Sequence, residues 1–390
     1  MHKIMFSAGE VSGDMHGASI ARAIKKREPG ARLFGFGGPQ MEAAGVEICC
    51  NMQDYNVMGF WEVIKNLRRM FKLRDHLIDV MVKEKPDILV LIDYPDFNWR
   101  LAAKAKKLGI PIFSYIPPSA WAWRKGRAKP VARLADQIAA IFPFETQVYE
   151  DAGATIQFVG NPLIDTVKPS MTRVEAAQYF AMDLSRNNVL LLPGSRKQEI
   201  EIILPEILKA AVELSKRHEN MDFYLPVASG ISETRLQEII SEFDVDVQIK
   251  KDHTYDLMNV CDFAIATSGT VTLEAALLEL PSVILYKMSP ISYCIGKLLI
   301  HLPNFSLPNI IAGERILPEL LQAEISTERI VQEAEKMFKD TATAVATKQR
   351  LRKIRQSLGE PDAADRVAAL ILKTADRCVK KSLPQEGCSN

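Results

Sequence analysis

Several short segments place glycine, hydroxyl, carboxylate or guanidinium groups directly after an apolar run, where a ligand can reach them. In Leu192-Pro193-Gly194-Ser195-Arg196-Lys197-Gln198-Glu199 a glycine turn opens a helix. Unpaired amides there, with Arg196 beside them, suit a diphosphate. Ser195 and Gln198 have capping-box spacing, and a capped helix still offers other amides. Ala266-Thr267-Ser268-Gly269-Thr270-Val271-Thr272-Leu273-Glu274 repeats the arrangement. With Thr270 as N-cap, Glu274 lies about one turn inside, where a carboxylate can accept both hydroxyls of a ribose or simply favour the helix dipole. Gly9-Glu10-Val11-Ser12-Gly13-Asp14 offers two glycines for close backbone approach and a helix start for an anion, with Asp14 as ligand or cap. Gly35-Phe36-Gly37-Gly38-Pro39 reads equally as a sugar or phosphate cradle and as a packed turn. In Ile92-Asp93-Tyr94-Pro95-Asp96-Phe97-Asn98, Asp93 ends a very apolar run and is a candidate general base, whereas Asp96 or Asn98 reads as a helix cap. Asp244-Val245-Asp246 matches a metal-holding pattern, but its acidic setting ahead of a strand reads as a solvated loop. The six histidines lack ligand spacing, so neither a metal nor a cofactor is expected.

Positioning these groups requires strands that stop where the motifs begin. Apolar runs at Ile4–Ala8, Leu33–Gly37, Ile88–Ile92, Ile112–Tyr115 and Ile138–Phe142 alternate with helical patterns at Met15–Arg27, Gly59–Lys83 and Trp99–Leu108. The pattern restarts with strands at Val189–Leu192, Phe223–Pro226, Val247–Lys250, Phe263–Ala266 and Val283–Tyr286, and a long helix to about His218. Unbroken Ile, Val and Leu runs fit parallel sheets covered on both faces. The reading is α/β with two doubly wound domains in tandem, a boundary near residue 166 and a cleft between them. Ligands bind such sheets beyond the strands' C-terminal ends. The chain is helical from about Thr327, and 380–390 reads as a frayed tail.

The chain has 390 residues, and at about 150 per domain this suggests two or three domains. A formal net charge of +1 argues against nucleic-acid binding by bulk charge. The six cysteines form no CxxC and no zinc-like cluster, so a disulfide framework is not expected. The N-terminal apolar stretch is too short for a signal peptide, and no run of about 18 apolar residues exists to span a membrane. The expectation is a cytoplasmic protein with reduced thiols. Its small basic excess lies in the first 165 residues. Phe60, Ile64, Leu67 and Phe71 recur at helical spacing with Trp61 and Met70 alongside, and Lys65, Arg68, Arg69 and Lys72 occupy much of the rest. Such a stripe suits an anionic membrane surface or the packing of a helix on its sheet. The basic aromatic segment Trp121-Ala122-Trp123-Arg124-Lys125-Gly126-Arg127 adds to the membrane reading.

Together with Pro118-Ser119-Ala120-Trp121-Ala122-Trp123-Arg124 and Leu307-Pro308-Asn309, the segments at Gly9–Asp14, Ile92–Asn98, Leu192–Arg196 and Ser268–Thr270 resemble the lipid-A-disaccharide synthases, in order, from about residue 3 to about 375. The resemblance implies a GT-B fold, two Rossmann-like domains facing each other across a cleft. It implies metal-independent, inverting transfer of 2,3-diacylglucosamine from its UDP derivative to 2,3-diacylglucosamine 1-phosphate. The product is the β-1′,6-linked disaccharide of lipid A, made at the cytoplasmic face of the inner membrane of a Gram-negative-type bacterium. Asp93 then matches the base, Arg196 the arginine at the diphosphate, Glu274 a ribose ligand and Asn309 a further nucleotide-site residue. The expected UDP site is Gly194, Ser195, Arg196, Ser268, Gly269, Thr270, Glu274 and Asn309. The expected acceptor side is Gly9, Glu10, Ser12, Gly13 and Asp14. The expected membrane contact is Phe60, Trp61, Ile64, Leu67, Arg68, Arg69 and Phe71. Residues 1–165 would form the acceptor domain and 166–355 the UDP-sugar domain. A helix within 356–380 would return to an N-terminal domain, its own or a partner's, with a homodimer left open. The competing readings are another GT-B enzyme on UDP-GlcNAc, such as a 2-epimerase, and a two-lobed sugar-binding protein without chemistry.

Overall fold

The structure, a computed structural model, describes residues 1–55, 60–120, 125–228, 230–288 and 303–382 and, within them, all side chains but those of 60–67, 125, 341 and 379–382. It divides into two compact units, Met1–Pro162 with Glu360–Asn390, and Leu163–Gly359.

In the first unit the strands are β1 (Lys3–Ala8), β2 (Arg32–Gly37), β3 (Glu47–Asn51), β4 (Ile88–Ile92), β5 (Ile112–Tyr115), β6 (Gln137–Ala140) and β7 (Ile156–Phe158). They pair in parallel in the order β3-β2-β1-β4-β5-β6-β7. Successive residues of a strand point to opposite faces, and both faces are covered here. Ile88, Val90 and Ile92 of β4 join one core with Ala18, Ile20 and Ile24 of helix α1 (Val11–Arg27). Leu89 and Leu91 join the other with Leu73, Leu77 and Met81 of helix α3 (Phe60–Glu84), which follows the short helix α2 (Pro39–Ala43). Helix α4 (Pro95–Lys107) adds Leu101, Ala102 and Ala105 to this second core.

The second unit has β8 (Asn187–Leu192), β9 (Met221–Pro226), β10 (Val247–Lys250), β11 (Phe263–Thr267), β12 (Ser282–Tyr286) and β13 (Glu319–Leu321), parallel in the order β10-β9-β8-β11-β12-β13. Helix α5 (Lys197–Arg217) buries Ile200, Ile203, Leu204, Ile207, Leu208, Ala211 and Leu214, a stripe at helical spacing. Helix α6 (Thr270–Leu277) follows β11.

Strands β3, β7 and β13, each on the edge of its sheet, were not expected from the sequence. Each is short, and β3 and β7 are half-exposed, so no continuous apolar run marks them. The last helix, α7 (Ala363–Ser382), extends past residue 380. It buries Val367, Ala368, Ile371 and Ala375 in the core shared by β1 and β4. Arg27 grips Asp365 through two nitrogens at 2.9 and 2.5 Å, and Arg366 donates to the Val159 carbonyl at 2.8 Å. Among the described residues no helix is long and apolar enough to cross a membrane.

In each unit the strand order reverses once, between β1 and β4 in the first and between β8 and β11 in the second. The loops after those four strands flank the two crevices where open α/β sheets bind ligands. The motifs at Gly9, Asp93, Pro193 and Ser268 are those four loops.

Candidate functional site

In the first unit β4 turns into α4 through Asp93 and Tyr94, with Pro95 at the first helical position. Both residues are left-handed, with φ of 46° and 53°. For side-chain-bearing residues this costs roughly 1–2 kcal/mol each, so the surroundings must enforce it. The Asp93 amide donates to the Tyr115 carbonyl at 3.1 Å. The Tyr94 ring packs on Phe97, with its hydroxyl 3.7 Å from the Met70 sulfur. It also lies over Gly9, where a Cβ would stand 2.3 Å from Tyr94 Cδ1, so only glycine fits. Burial pushes the Asp93 carboxyl above its ordinary value, and the Tyr94 amide opposes this in part. A cavity of about 490 Å³ adjoins this turn, lined by Glu10, Met70, Phe71, Arg74, Tyr94 and Arg100 among others. Its wall is apolar and aromatic, and its charged border is mixed, with Arg74 and Arg100 beside Glu10 and Asp96.

Of the expected acceptor-side residues, Glu10 lines this cavity, Gly9 supports Tyr94, and Ser12 is exposed on the first turn of α1. Gly13 packs α1 against β1, 3.3 Å from Ala8 Cβ by its missing Cβ. Asp14 stands apart from this group. It is buried, and its carboxylate accepts the amides of Gly38, Gln40 and Met41 at 2.8, 2.9 and 3.0 Å. It therefore holds the start of α2, and the Gly35–Pro39 segment is a packed turn around it. The side chains of Phe60, Trp61, Ile64 and Leu67, and Trp121–Arg124, lie outside the described residues. Arg68, Arg69 and Phe71 are exposed, with the Arg74 guanidinium 5.0 Å over the Phe71 ring.

In the second unit Gly194 has φ of 118°, which bends the chain from β8 toward α5. The cap differs from the sequence reading. Arg196 is the N-cap, and Glu199, rather than Gln198, folds back. One Glu199 oxygen accepts the Ser195 and Arg196 amides at 3.2 and 3.3 Å, and the other takes the Arg196 guanidinium at 2.5 Å. Across the crevice Gly269, rather than Thr270, is the N-cap of α6, with no side-chain cap. The amides of Gly269, Thr270 and Val271, before and in the first turn, have no partner among the described residues. These loops line a cavity of about 370 Å³ that also takes in Pro226–Ala228, Thr254 and Glu274. Among the described residues nothing hydrogen-bonds or pairs with the Glu274 carboxylate, and burial raises it above its ordinary value. The Tyr255 hydroxyl is pushed up to about 12 by burial and the nearby Glu274 charge.

Asn309 does not join this cavity. It is fully buried, and its amide donates to the Leu317 carbonyl and to Glu319, at 2.9 and 2.8 Å. Its oxygen accepts the Ile316 and Leu317 amides, both at 2.9 Å. Both N–H groups and both lone pairs are used, and Asn309 secures the loop ahead of β13. Asp244 and Asp246 are exposed ahead of β10. Among the described residues no three His, Cys, Asp or Glu side chains cluster as a metal site.

Sequence reasoning missed Glu199, Arg74, Arg100 and the packing of Tyr94 over Gly9, because each is brought to its site only on folding. The one legible signal was Glu199 at the third position of α5, a favoured place for a carboxylate that reaches back.

A model of the lipid-A-disaccharide synthetase family matches residues 4–372. The lipid-A-disaccharide synthase of Geobacter sulfurreducens is 42% identical over 372 residues, covering 95% of this chain and 97% of its own. That of Nitrosococcus oceani is 40% identical, covering 90% and 91%. Among solved structures, the UDP-GlcNAc 2-epimerase of Neisseria meningitidis bound to UDP-GlcNAc aligns at TM-score 0.63 and 13% identity, covering 96% of this chain and all of that one. The glycotransferase of kitacinnamycin aligns at 0.65 and 15% identity, covering 96% and 98%. At such identities these structural likenesses establish the GT-B fold.

Proposed function

The chain belongs to the lipid-A-disaccharide synthase family, glycosyltransferases of lipid A biosynthesis, and from that premise we propose which substrates it joins and how. The donor is UDP-2,3-diacylglucosamine and the acceptor 2,3-diacylglucosamine 1-phosphate. The acceptor's 6-hydroxyl oxygen attacks the donor's anomeric carbon from the face opposite the diphosphate. The new C–O bond forms as the bond to the phosphate oxygen breaks, UDP leaves with the electron pair, and the hydroxyl proton passes to Asp93. A single displacement inverts the anomeric centre and gives the β-1′,6 linkage. The observation that carries this reading is the Asp93 carboxylate, half-buried at the end of β4, in the turn whose next residue, Tyr94, lines a cavity with an apolar wall and with Arg74 and Arg100 on its border. The apolar wall suits acyl chains, and Arg74 and Arg100 suit the acceptor's phosphate. UDP is taken by the second cavity. Arg196 and the α6 amides stabilise its developing charge, and Glu274 accepts the ribose hydroxyls. Mass spectrometry and NMR of the product from these two substrates test the reading. A β-linked disaccharide 1-phosphate with equimolar UDP is expected. Epimerised UDP-GlcNAc without lipid product would overturn it.

In this reading Glu199 occupies the place of a diphosphate oxygen on the Ser195 and Arg196 amides and must yield when UDP binds. Glu199→Gln, which removes the competing charge, is expected to tighten UDP binding by several-fold, roughly 1 kcal/mol. Calorimetric titration with UDP checks this; weaker binding would mean that Glu199 chiefly shapes the loop.

The enzyme works peripherally on the cytoplasmic face of the inner membrane, since both substrates are lipids. Leu73, Leu77 and Met81 turn α3 toward the sheet. Phe71, two residues before Leu73, points about 160° away around the helix. Exposed Arg68, about 60° from it, and Lys72, about 100°, border it with positive charge, while Arg69, also exposed, lies nearer the Leu73 side. Each basic residue near an anionic surface contributes about 1 kcal/mol. Replacing Arg68 and Arg69 by Glu and Phe71 by Ser together is expected to weaken binding to anionic vesicles by at least about tenfold with the fold intact. Vesicle sedimentation with circular dichroism measures both, and unchanged sedimentation of a folded variant would defeat the membrane reading.

A further inference from the structure

The sequence reads Asn98 as a cap for α4, but it lies in the fourth position of that helix, buried, with its side chain turned back toward the strands. Its amide nitrogen is 2.6 Å from the Asp93 carbonyl and 3.3 Å from the carbonyls of Ile92 and Ser7. Its oxygen accepts the Ser7 hydroxyl at 2.7 Å, which fixes the orientation of the amide. Ser7 and Ile92 stand at the ends of β1 and β4, the two strands that flank the crevice of the first unit. One side chain thus ties both strand ends to the residue that carries the carboxylate. The tie is needed because Asp93 and Tyr94 are consecutive left-handed residues that would otherwise relax. We infer that Asn98, oriented by Ser7, is a positioning residue that holds the Asp93 backbone in its left-handed turn and so aims the Asp93 carboxylate at the acceptor hydroxyl. The inference rests on the reading of Asp93 as the base.

The Asp93 amide is taken by the Tyr115 carbonyl and the Tyr94 carbonyl by the Asn98 backbone amide, and the Asn98 side chain supplies the only described hydrogen bond to the Asp93 carbonyl. An apolar side chain at position 98 would leave the carbonyls of Ser7, Ile92 and Asp93 without this shared donor. Misplacing a reacting group by about 1 Å can cost 10²-fold in rate.

The test is a double-mutant cycle on turnover. Asn98→Ala alone is expected to lower kcat by about 10²-fold. The donor KM and the affinity for UDP, which is bound in the other unit, should change by less than about twofold. Ser7→Ala should lower kcat by a smaller factor in the same pattern. In an Asp93→Asn background, Asn98→Ala should cost almost nothing more, because the group it positions is already gone. A full further loss in that background would assign Asn98 a general structural role and overturn the inference. If Asp93→Asn itself keeps near-normal activity, the base reading fails first, and the two failures are distinguished by that single variant. Should Asn98→Ala not fold, Asn98→Asp carries the same cycle: it keeps the volume and the acceptor for Ser7 but replaces the donor that faces Asp93. Wild-type turnover in folded Asn98→Asp would likewise overturn the inference.

Discussion

Asp93→Asn is expected to lower turnover by roughly 10²–10⁴-fold while fold and UDP binding persist. The amide keeps the shape of the carboxylate but cannot take the proton from the attacking hydroxyl; Glu10 and Asp96, the carboxylates that line the adjoining cavity, are both exposed. The same change should not weaken the protein. Burial holds the folded-state pKa of Asp93 above its unfolded value, so the native state binds more protons than the unfolded state between those two values. Stability therefore falls as pH rises through that window, and at neutral pH the ionised carboxylate is a net cost that Asn removes. The expected result is a melting temperature equal to or above wild type, with activity nearly abolished. Loss of activity with the carboxylate protonated should also give the wild-type rate an acid limb, placed above the ordinary aspartate range, which the variant lacks. Initial rates against pH, with thermal melts of both proteins, check all of this. Turnover within about threefold of wild type would remove Asp93 from the base role.

Arg196→Ala is expected to cut turnover by roughly 10²-fold or more, through the leaving group rather than the fold. The guanidinium is 80% exposed and among the described residues meets only Glu199, in its own helical turn. A surface pair of that kind contributes little to stability. Under the proposed reading it supplies a cation in the cavity that takes the diphosphate, so its loss is felt as negative charge develops. Loss of kcat should exceed loss of UDP affinity, because the charge is greater in the transition state than in the bound donor. EDTA should leave the wild-type rate unchanged. Strong inhibition by EDTA, reversed by Mg²⁺, would transfer this task to a metal and return attention to Asp244 and Asp246. Steady-state kinetics with calorimetric UDP titration separate these outcomes.

The alternation of strands and helices, the restart near the middle of the chain and the loops that carry chemistry were legible, because both signals are local. A strand covered on both faces must be apolar at every position, as Ile88–Ile92 is, and a turn that meets a ligand must end such a run. Of the four edge strands only β10 was legible. Strands such as Ile156–Phe158 are half-exposed and owe their conformation to a neighbour that pairs with them. The cap of α5 was misread for a related reason. Ser195-x-x-Gln198 and Arg196-x-x-Glu199 are frames one residue apart, and the conformation at Gly194 decides which of them starts the helix.

By itself the sequence determined the fold class and the family, because periodicity and motif order survive without coordinates, and it nominated the groups proposed to do the chemistry. Only the tertiary structure decided how each group is used. Asp14 and Asn309 have the residue types of ligands, yet both are buried: Asp14 accepts three backbone amides, and Asn309 bonds three backbone groups and Glu319. Asp93 and Glu274 are carboxylates of the same kind, and folding leaves them beside cavities with their charges uncompensated by any described cation. The difference lies in what surrounds each side chain, and those surroundings come from strands and helices distant in sequence.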